Sequence, residues 1–428
     1  MPETPRILPP PSGSDDTAAI QDALDKLRPG QWLIGQPGAV YLHSKSLQIT
    51  VPGSGLAGTR LHATNPDDQA ILIRAHGVTV HDNDLTAVTD MRRSSPWQAR
   101  IAAWGMDDGA MRLTDIKVSG NTIREDGAVG SVVQNGASSG GIFLYNVAGF
   151  RVEGNTVRRT CSDGIHITAG SCSGVVRGNT VTETGDDGIA VVSYMRKGPD
   201  GPLGKPIAEV RSQRITSLCA DVLVERNTVA GQYWGRGVTV VGGRNATIRS
   251  NTVKGVHGSA GILVVRERPY HTWAPDNVLV EDNDVDDIQT SVVPAFCPTG
   301  PGFADRLASM SAPKSGHGGI EINATATPED WALSPDLLTA ARITVRGNRI
   351  GRAPVSVRIG AHSPAGSMRL VQVNGNTLHN INVFAGTAYQ GSVTHHGNRT
   401  WDGAEIRTVG NAPLWLRESA TGCAICFD

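Results

Sequence analysis

Two short stretches carry aspartates at matching places: CSDGIHI at 161–167 holds Asp163, and GDDGIAV at 185–191 holds Asp186 and Asp187. In both, a glycine and an alternating apolar run follow, and Asp163 and Asp187 occupy equivalent positions. If the stretches run side by side as neighbouring strands, equivalent residues sit about 4.8 Å apart. Three carboxylates so close cannot all ionise cheaply. Either one keeps a proton beside an ionised neighbour, the pairing that general acid–base catalysis needs, or a cation lies among them. A single Asp-Gly is a common turn pair. Two in consecutive repeats, joined by a third acid, point to a site.

The element that stacks these stretches is a repeat. A Gly-Asn-Thr refrain, or a close relative, recurs at Asn83, Asn121, Asn155, Asn179, Asn227, Asn251, Asn283, Asn348, Asn376 and Asn398, with several neighbours 22 to 24 residues apart. Short strands of period two follow, among them GGIFLY from Gly140, DGIHIT from Asp163, DGIAVV from Asp187, RGVTVV from Arg236, AGILVV from Ala260 and GGIEIN from Gly318. A coil of that length with two or three strands cannot bury its apolar face alone, so coils must stack as a parallel β-helix. The asparagines are expected to take the left-handed conformation at turns and to hydrogen-bond to the copies above and below.

Composition agrees: Gly reaches 51 residues and aromatics only 5%. One clear helix is predicted, SDDTAAIQDALDKL at 14–27, with N-cap candidates from Ser14 to Asp16 and with Ile20, Leu24 and Leu27 on one face. It would cap the open end of the solenoid. The predicted organisation is a single all-β domain: residues 1–30 a capping segment, 31–428 a β-helix, with loop insertions near 195–219, 290–316 and 324–340. The first insertion is basic, carrying Arg196, Lys197, Lys205, Arg211 and Arg214; the second is rich in Pro, Gly and Ser. Both would wall a groove, or else be disordered decoration of the solenoid.

A net charge of −1 gives no bulk attraction to nucleic acid or to an anionic membrane. No run of about 20 apolar residues is present, so no membrane insertion is expected. The opening MPETPRILPPP lacks the apolar core of a signal peptide. Two readings stand: a cytoplasmic protein, or a secreted or periplasmic one numbered from its mature start. Of six cysteines, Cys161, Cys172, Cys219, Cys297, Cys423 and Cys426, none has zinc-finger spacing; the closing CAIC is a weak sign of metal or redox chemistry, and disulfides would suit an exported enzyme. Nothing in the pattern sets an oligomeric state.

The repeat resembles the pectin-lyase-like right-handed β-helix superfamily. Within it, CSDG, GDDG and GRG resemble, in order, the Asn-Thr-Asp, Asp-Asp and Gly-His-Gly motifs of glycoside hydrolase family 28, the polygalacturonases. The resemblance implies a catalytic trio of Asp163, Asp186 and Asp187, with Asp186 as general acid and the others activating water. Cys161-Ser162 replaces Asn-Thr, Arg236 stands at the histidine position, and RER at Arg266 to Arg268 is a loose counterpart of the Arg-Ile-Lys motif.

The activity this implies is inverting hydrolysis of an acidic polysaccharide or oligosaccharide, without a cofactor. Inversion calls for carboxyl groups about 6.5 to 9.5 Å apart, a span that aspartates on adjacent coils meet diagonally. The trio is expected to converge on one exposed spot. Strand parity places Phe143, Tyr145, His166, Thr239, Glu321 and Asn323 outward on the same face. Tyr233, Trp234, Tyr270 and Trp273 would offer sugar-stacking platforms, or else pack under loops. Arg236, Arg266 and Arg268 suit a uronate. Two alternatives share the scaffold. In a lyase, calcium would sit on the three aspartates, with Arg236 or Lys197 as base. In a spike-like glycan-binding solenoid, the acids would only hold an ion.

Overall fold

The computed structural model describes residues 5–65, 68–87, 99–105, 111–124, 140–195, 217–290, 316–326, 338–361, 363, 366–383 and 393–407. The expected insertions fall largely on residues 196–216, 291–315 and 327–337, outside the described residues, as do Lys197, Cys297, Cys423 and Cys426.

Among the described residues, three parallel sheets of 13, 11 and 10 strands run the length of the chain. Each coil gives one short strand to each sheet, so sequence neighbours lie in different sheets and repeat neighbours pair. The apolar columns are unbroken. Ile142, Ile165, Ile189, Val238, Ile262 and Ile320 lie in register, each with no exposed surface. A side chain so buried contributes about 1.5–3 kcal/mol, and stacking like on like lets every coil reuse the same packing.

The refrain asparagines form a second column. In each step the side-chain amide donates to the next Oδ1, as from Asn179 to Asn227 at 2.9 Å, and also to a carbonyl of the preceding coil, Val152 at 2.9 Å. The chain N–H donates to the same Oδ1. The ladder runs from Asn83 to Asn398. The left-handed conformation, however, belongs to the residue before each asparagine. Gly178 has φ 62°, and where glycine is replaced, Asp82, Arg226, Ser250 and Asp282 take φ values of 53–54°. The expectation that asparagine occupies that position is corrected: its amide is needed inside the ladder, and glycine meets the turn requirement at less cost.

The helix spans Thr17–Asp25, with Ile20, Ala23 and Leu24 buried, and packs on Leu47–Ile49 at the end of the 11-stranded sheet. Asp16 stands at its N-cap without capping the helix N–H groups. Its carboxylate accepts instead from Ser12 N and Leu42 N. Among the described residues no helix is long and apolar enough to cross a membrane. Cys161, Cys172 and Cys219 are thiols rather than disulfide partners.

Candidate functional site

The site grows from the start of successive strands in the 11-stranded sheet, where the chain turns in from the 10-stranded one. The glycine after each aspartate is required by packing. A Cβ on Gly164 would lie 2.2 Å from Val181 Cγ1 and 2.6 Å from the Gly188 carbonyl. This tight bend frees Asp163 and Asp187 from the inward direction of Ile165 and Ile189, toward the outer face where His166 stands.

A column of backbone-to-carboxylate bonds holds the acids. Asp187 N–H donates to Asp163 Oδ1 at 2.8 Å, and Arg236 N–H donates to Asp187 Oδ1 at 2.7 Å. Asp163 Oδ2 is hydrogen-bonded to His166 Nδ1. The Arg236 guanidinium lies 3.1 Å from Asp187 and 3.2 Å from Glu267, tying the start of one strand to the residue beyond the end of the next. One oxygen from each of Asp163, Asp186 and Asp187 lies within 4.8 Å of the others.

Burial, reinforced by the charge of Asp186, holds the Asp163 carboxyl well above the usual carboxylate range, against the pull of Arg236. Burial raises Asp187 likewise, opposed first by Arg236, and raises Glu267, again opposed by Arg236. It pushes His166 down to about 3, partly countered by Asp186, so its imidazole is neutral at ordinary pH. The Tyr194 hydroxyl is held well above its usual range by burial and by the charges of Asp163 and Glu267. Among the described residues, four carboxyls face one guanidinium. The cluster therefore retains protons or takes up a cation, and oxygen-only donors suit calcium, which takes six to eight oxygens.

The model of the right handed beta helix region matches residues 67–194 and 138–285, together more than half of the chain. The chain belongs to the right-handed β-helix family. No curated protein matches it. Structures similar to this β-helix protein include the A-module of mannuronan C-5 epimerase AlgE6 from Azotobacter vinelandii, 16% identical with TM-score 0.52 over 90% of this chain and 95% of that one. The catalytic domain of a GH87 α-1,3-glucanase, in complex with tetrasaccharides, is 13% identical with TM-score 0.59 over 96% and 68%. The catalytic unit of a thermostable GH87 α-1,3-glucanase from Streptomyces thermodiastaticus is 16% identical with TM-score 0.52 over 94% and 70%. At such identities the likeness is one of fold.

The β-helix thus brings together Asp163, Asp186, Asp187, His166 and Arg236. Other predicted residues lie elsewhere. The acids are enclosed rather than exposed, at 2, 8 and 4%. Their nearest oxygens are closer than the predicted span. Tyr233 and Trp234 are buried and offer no open stacking face. Trp273 is buried too, its indole donating to Ser217. Arg266 shares the inward parity of Ile262 and Val264 and spends its guanidinium on the carbonyls of Thr272 and Thr325. Arg268 is exposed, tied by its backbone to Thr325. Glu321 and Asn323 do face the predicted side, four strands from His166 and Thr168, where Glu321 is closed in by His317 and Arg358 at 3.0 and 3.2 Å. Tyr145 stacks on Trp104 with ring centroids 4.1 Å apart. Glu267 and Tyr194 were not anticipated; Glu267 sits inside RER, a stretch that reads as basic.

Proposed function

We propose that this β-helix protein is a polysaccharide-degrading glycoside hydrolase, with Asp163, Asp186 and Asp187 supplying acid and base. The observation that carries this is the convergence of three carboxylates from adjacent coils within 4.8 Å, too close for all three to ionise together without cost. Hydrolysis of a glycosidic bond needs a proton for the leaving oxygen and a carboxylate to activate water. Asp186, the most exposed of the three, is the acid that meets the substrate. Asp163 and Asp187 hold the water. In a trio the water lies against two carboxylates jointly, so inversion does not require the wide gap of a two-carboxylate site. Product stereochemistry followed by NMR tests this: inversion is expected, and net retention overturns it.

An acidic sugar at the cleavage point is disfavoured. Arg236 is already shared by two carboxylates and Arg266 is buried in backbone contacts. Among the described residues the acids at the site outnumber the one guanidinium that faces them, which does not favour a second anion, so we infer a neutral glycan, a class consistent with the glucanases of the same fold. Reducing ends should appear from neutral polysaccharides in preference to uronate polymers.

One feature favours a second reading. The same three oxygens form a ligand set for calcium, which would reverse the local charge and admit a uronate for β-elimination. That reaction needs a base, and arginine's high pKa together with its two carboxylate partners disqualifies Arg236. Unsaturated products that vanish on chelation would decide for the lyase.

A further inference from the structure

The strand Ile262–Arg266 does not simply pass on to the next sheet. The residues after it, Glu267 to Trp273, form a strap tied to the coils on both sides. Its own turn is closed by Glu267 N–H donating to Thr272 Oγ1 at 2.8 Å and by Thr272 N–H donating to the Glu267 carbonyl at 3.2 Å. Its far end bridges to Tyr194, beyond the strand that lies two places earlier in the sheet. There Met195 N–H donates to the His271 carbonyl and Trp273 N–H to the Ser193 carbonyl, each at 2.9 Å. On the other side Arg268 N–H donates to Thr325 Oγ1 at 2.9 Å. The coil between passes so close that a Cβ on Gly242 would lie 2.2 Å from the Trp273 carbonyl oxygen.

What the strap presents is Glu267, 3.2 Å from the Arg236 guanidinium, with a side chain only 16% exposed. For packing alone an acid is a poor choice here. Its carboxyl is raised by burial, against the pull of Arg236 and with the push of Asp186, and its charge acts in turn on Asp163 and on the Tyr194 hydroxyl. Adding a buried acid beside three others opposes folding, and such arrangements gather at functional sites. The gain is at Arg236. That residue's backbone N–H and Nε both meet one oxygen of Asp187, Oδ1, at 2.7 and 3.1 Å, so the set of the guanidinium governs how the Asp187 carboxylate is turned. A long arginine side chain carries about 2 kcal/mol of rotamer entropy, and a second carboxylate on its terminal nitrogen fixes the plane.

Resting on the hydrolase reading above, we propose that Glu267 is a positioning residue for that reaction: held by the strap, it fixes the Arg236 guanidinium and through it the Asp187 carboxylate that holds the water. Glu267 itself touches neither the substrate nor the reacting atoms.

Arginine labelled at nitrogen lets NMR follow the guanidinium directly, with Arg236→Lys identifying its signal. The Arg236 Nε–H resonance should be narrow in the wild-type protein, lost to broadening and exchange in Glu267→Ala, and present in Glu267→Gln, whose amide oxygen still accepts from a guanidinium. A resonance that survives in Glu267→Ala overturns the proposal. Kinetics on a neutral glycan give the second readout. Glu267→Ala should lower kcat by about tenfold, short of the roughly 10²-fold that a misplacement of about 1 Å brings, with KM unchanged; Glu267→Gln should recover most of the loss. Equal losses in the two variants would make Glu267 a proton carrier and overturn the positioning role. In an Arg236→Lys background Glu267→Ala should cost nothing further, because the two residues act as one unit, and additive losses would overturn that. Should Glu267→Ala fail to fold, Glu267→Asp, which keeps the charge and shortens the reach, carries the same comparisons. Failure of the hydrolase reading shows separately, as a wild-type protein that releases no reducing ends, and the resonance comparison still decides whether Glu267 holds Arg236.

Discussion

Arg236 meets Asp187 twice, through its backbone N–H at 2.7 Å and its guanidinium at 3.1 Å. The same guanidinium reaches Glu267 at 3.2 Å. One side chain thus pairs with two of the acids at the point where the resemblance to polygalacturonases calls for a histidine, and the difference is one of role. An arginine cannot exchange protons near neutral pH, so Arg236 fixes charge and leaves proton transfer to the aspartates.

Arg236→Lys should therefore be damaging although it keeps the charge. Lysine offers a point charge on a flexible stem and cannot hold two carboxylates in a planar fork. Turnover is expected to fall by about 10²-fold, the low end for disturbing acid–base catalysis, with the circular dichroism spectrum unchanged. Kinetics on a neutral glycan, with wild-type protein beside it, check this. A loss of less than about threefold would remove the fork from the site.

Stability should depend on pH through the same cluster. Burial raises Asp163 and Asp187 above their unfolded values, so the folded state binds more protons and stability falls as pH climbs from about 4 through the raised range. Asp163→Asn removes one ionisation and should raise Tm more at pH 8 than at pH 4. His166 and His43 act oppositely. Burial lowers them to about 3 and about 4, so the unfolded chain takes protons first and stability also falls as pH drops below about 6.5. A broad maximum between these limits is the expected thermal profile.

The solenoid and its interior are legible in the sequence because both depend on local periodicity, period two along a strand and 22 to 24 residues between rungs. The same rule gives the shared face of Phe143, His166, Thr239 and Glu321. It also places Arg266 with Ile262 and Val264, inward, a parity overlooked when charge alone assigns it to substrate. The Glu267–Arg236 pair is harder to see. It joins the start of one strand to the far end of the next, a diagonal contact that register does not report. The left-handed residue of the refrain is hidden for another reason: Asn and Gly both tolerate that conformation, and only the amide ladder decides between them.

That ladder should be sensitive to a single rung. Asn227 accepts from Asn179 N and Nδ2, each at 2.9 Å, and donates to Val176 O at 3.0 Å. Asn227→Ala strands all three groups in the interior. At about 1 kcal/mol or more for each, the loss is about 3 kcal/mol. Thr228→Ala, at the exposed next position, should change stability by no more than about 0.5 kcal/mol. Thermal melts of the two variants make the comparison, and equal Tm values would show that the amide column carries no stability.

A glycine outside both aspartate stretches controls the acid that meets the substrate. A Cβ on Gly235 would lie 2.3 Å from Asp186 Oδ1 and 2.6 Å from Asp187 N, both closer than any real contact. Gly235→Ala must displace the Asp186 carboxylate, the adjoining backbone, or both. Two of the three clashes are with backbone, Asp186 C at 2.5 Å and Asp187 N at 2.6 Å, so the turn that carries Asp186 must move together with its carboxylate. Misplacing a catalytic group by about 1 Å lowers rates by about 10²-fold. Turnover should fall by that much with the circular dichroism spectrum unchanged. Kinetics on a neutral glycan beside the wild-type protein check this. Wild-type turnover in this variant would mean that Asp186 does not touch the reacting atoms.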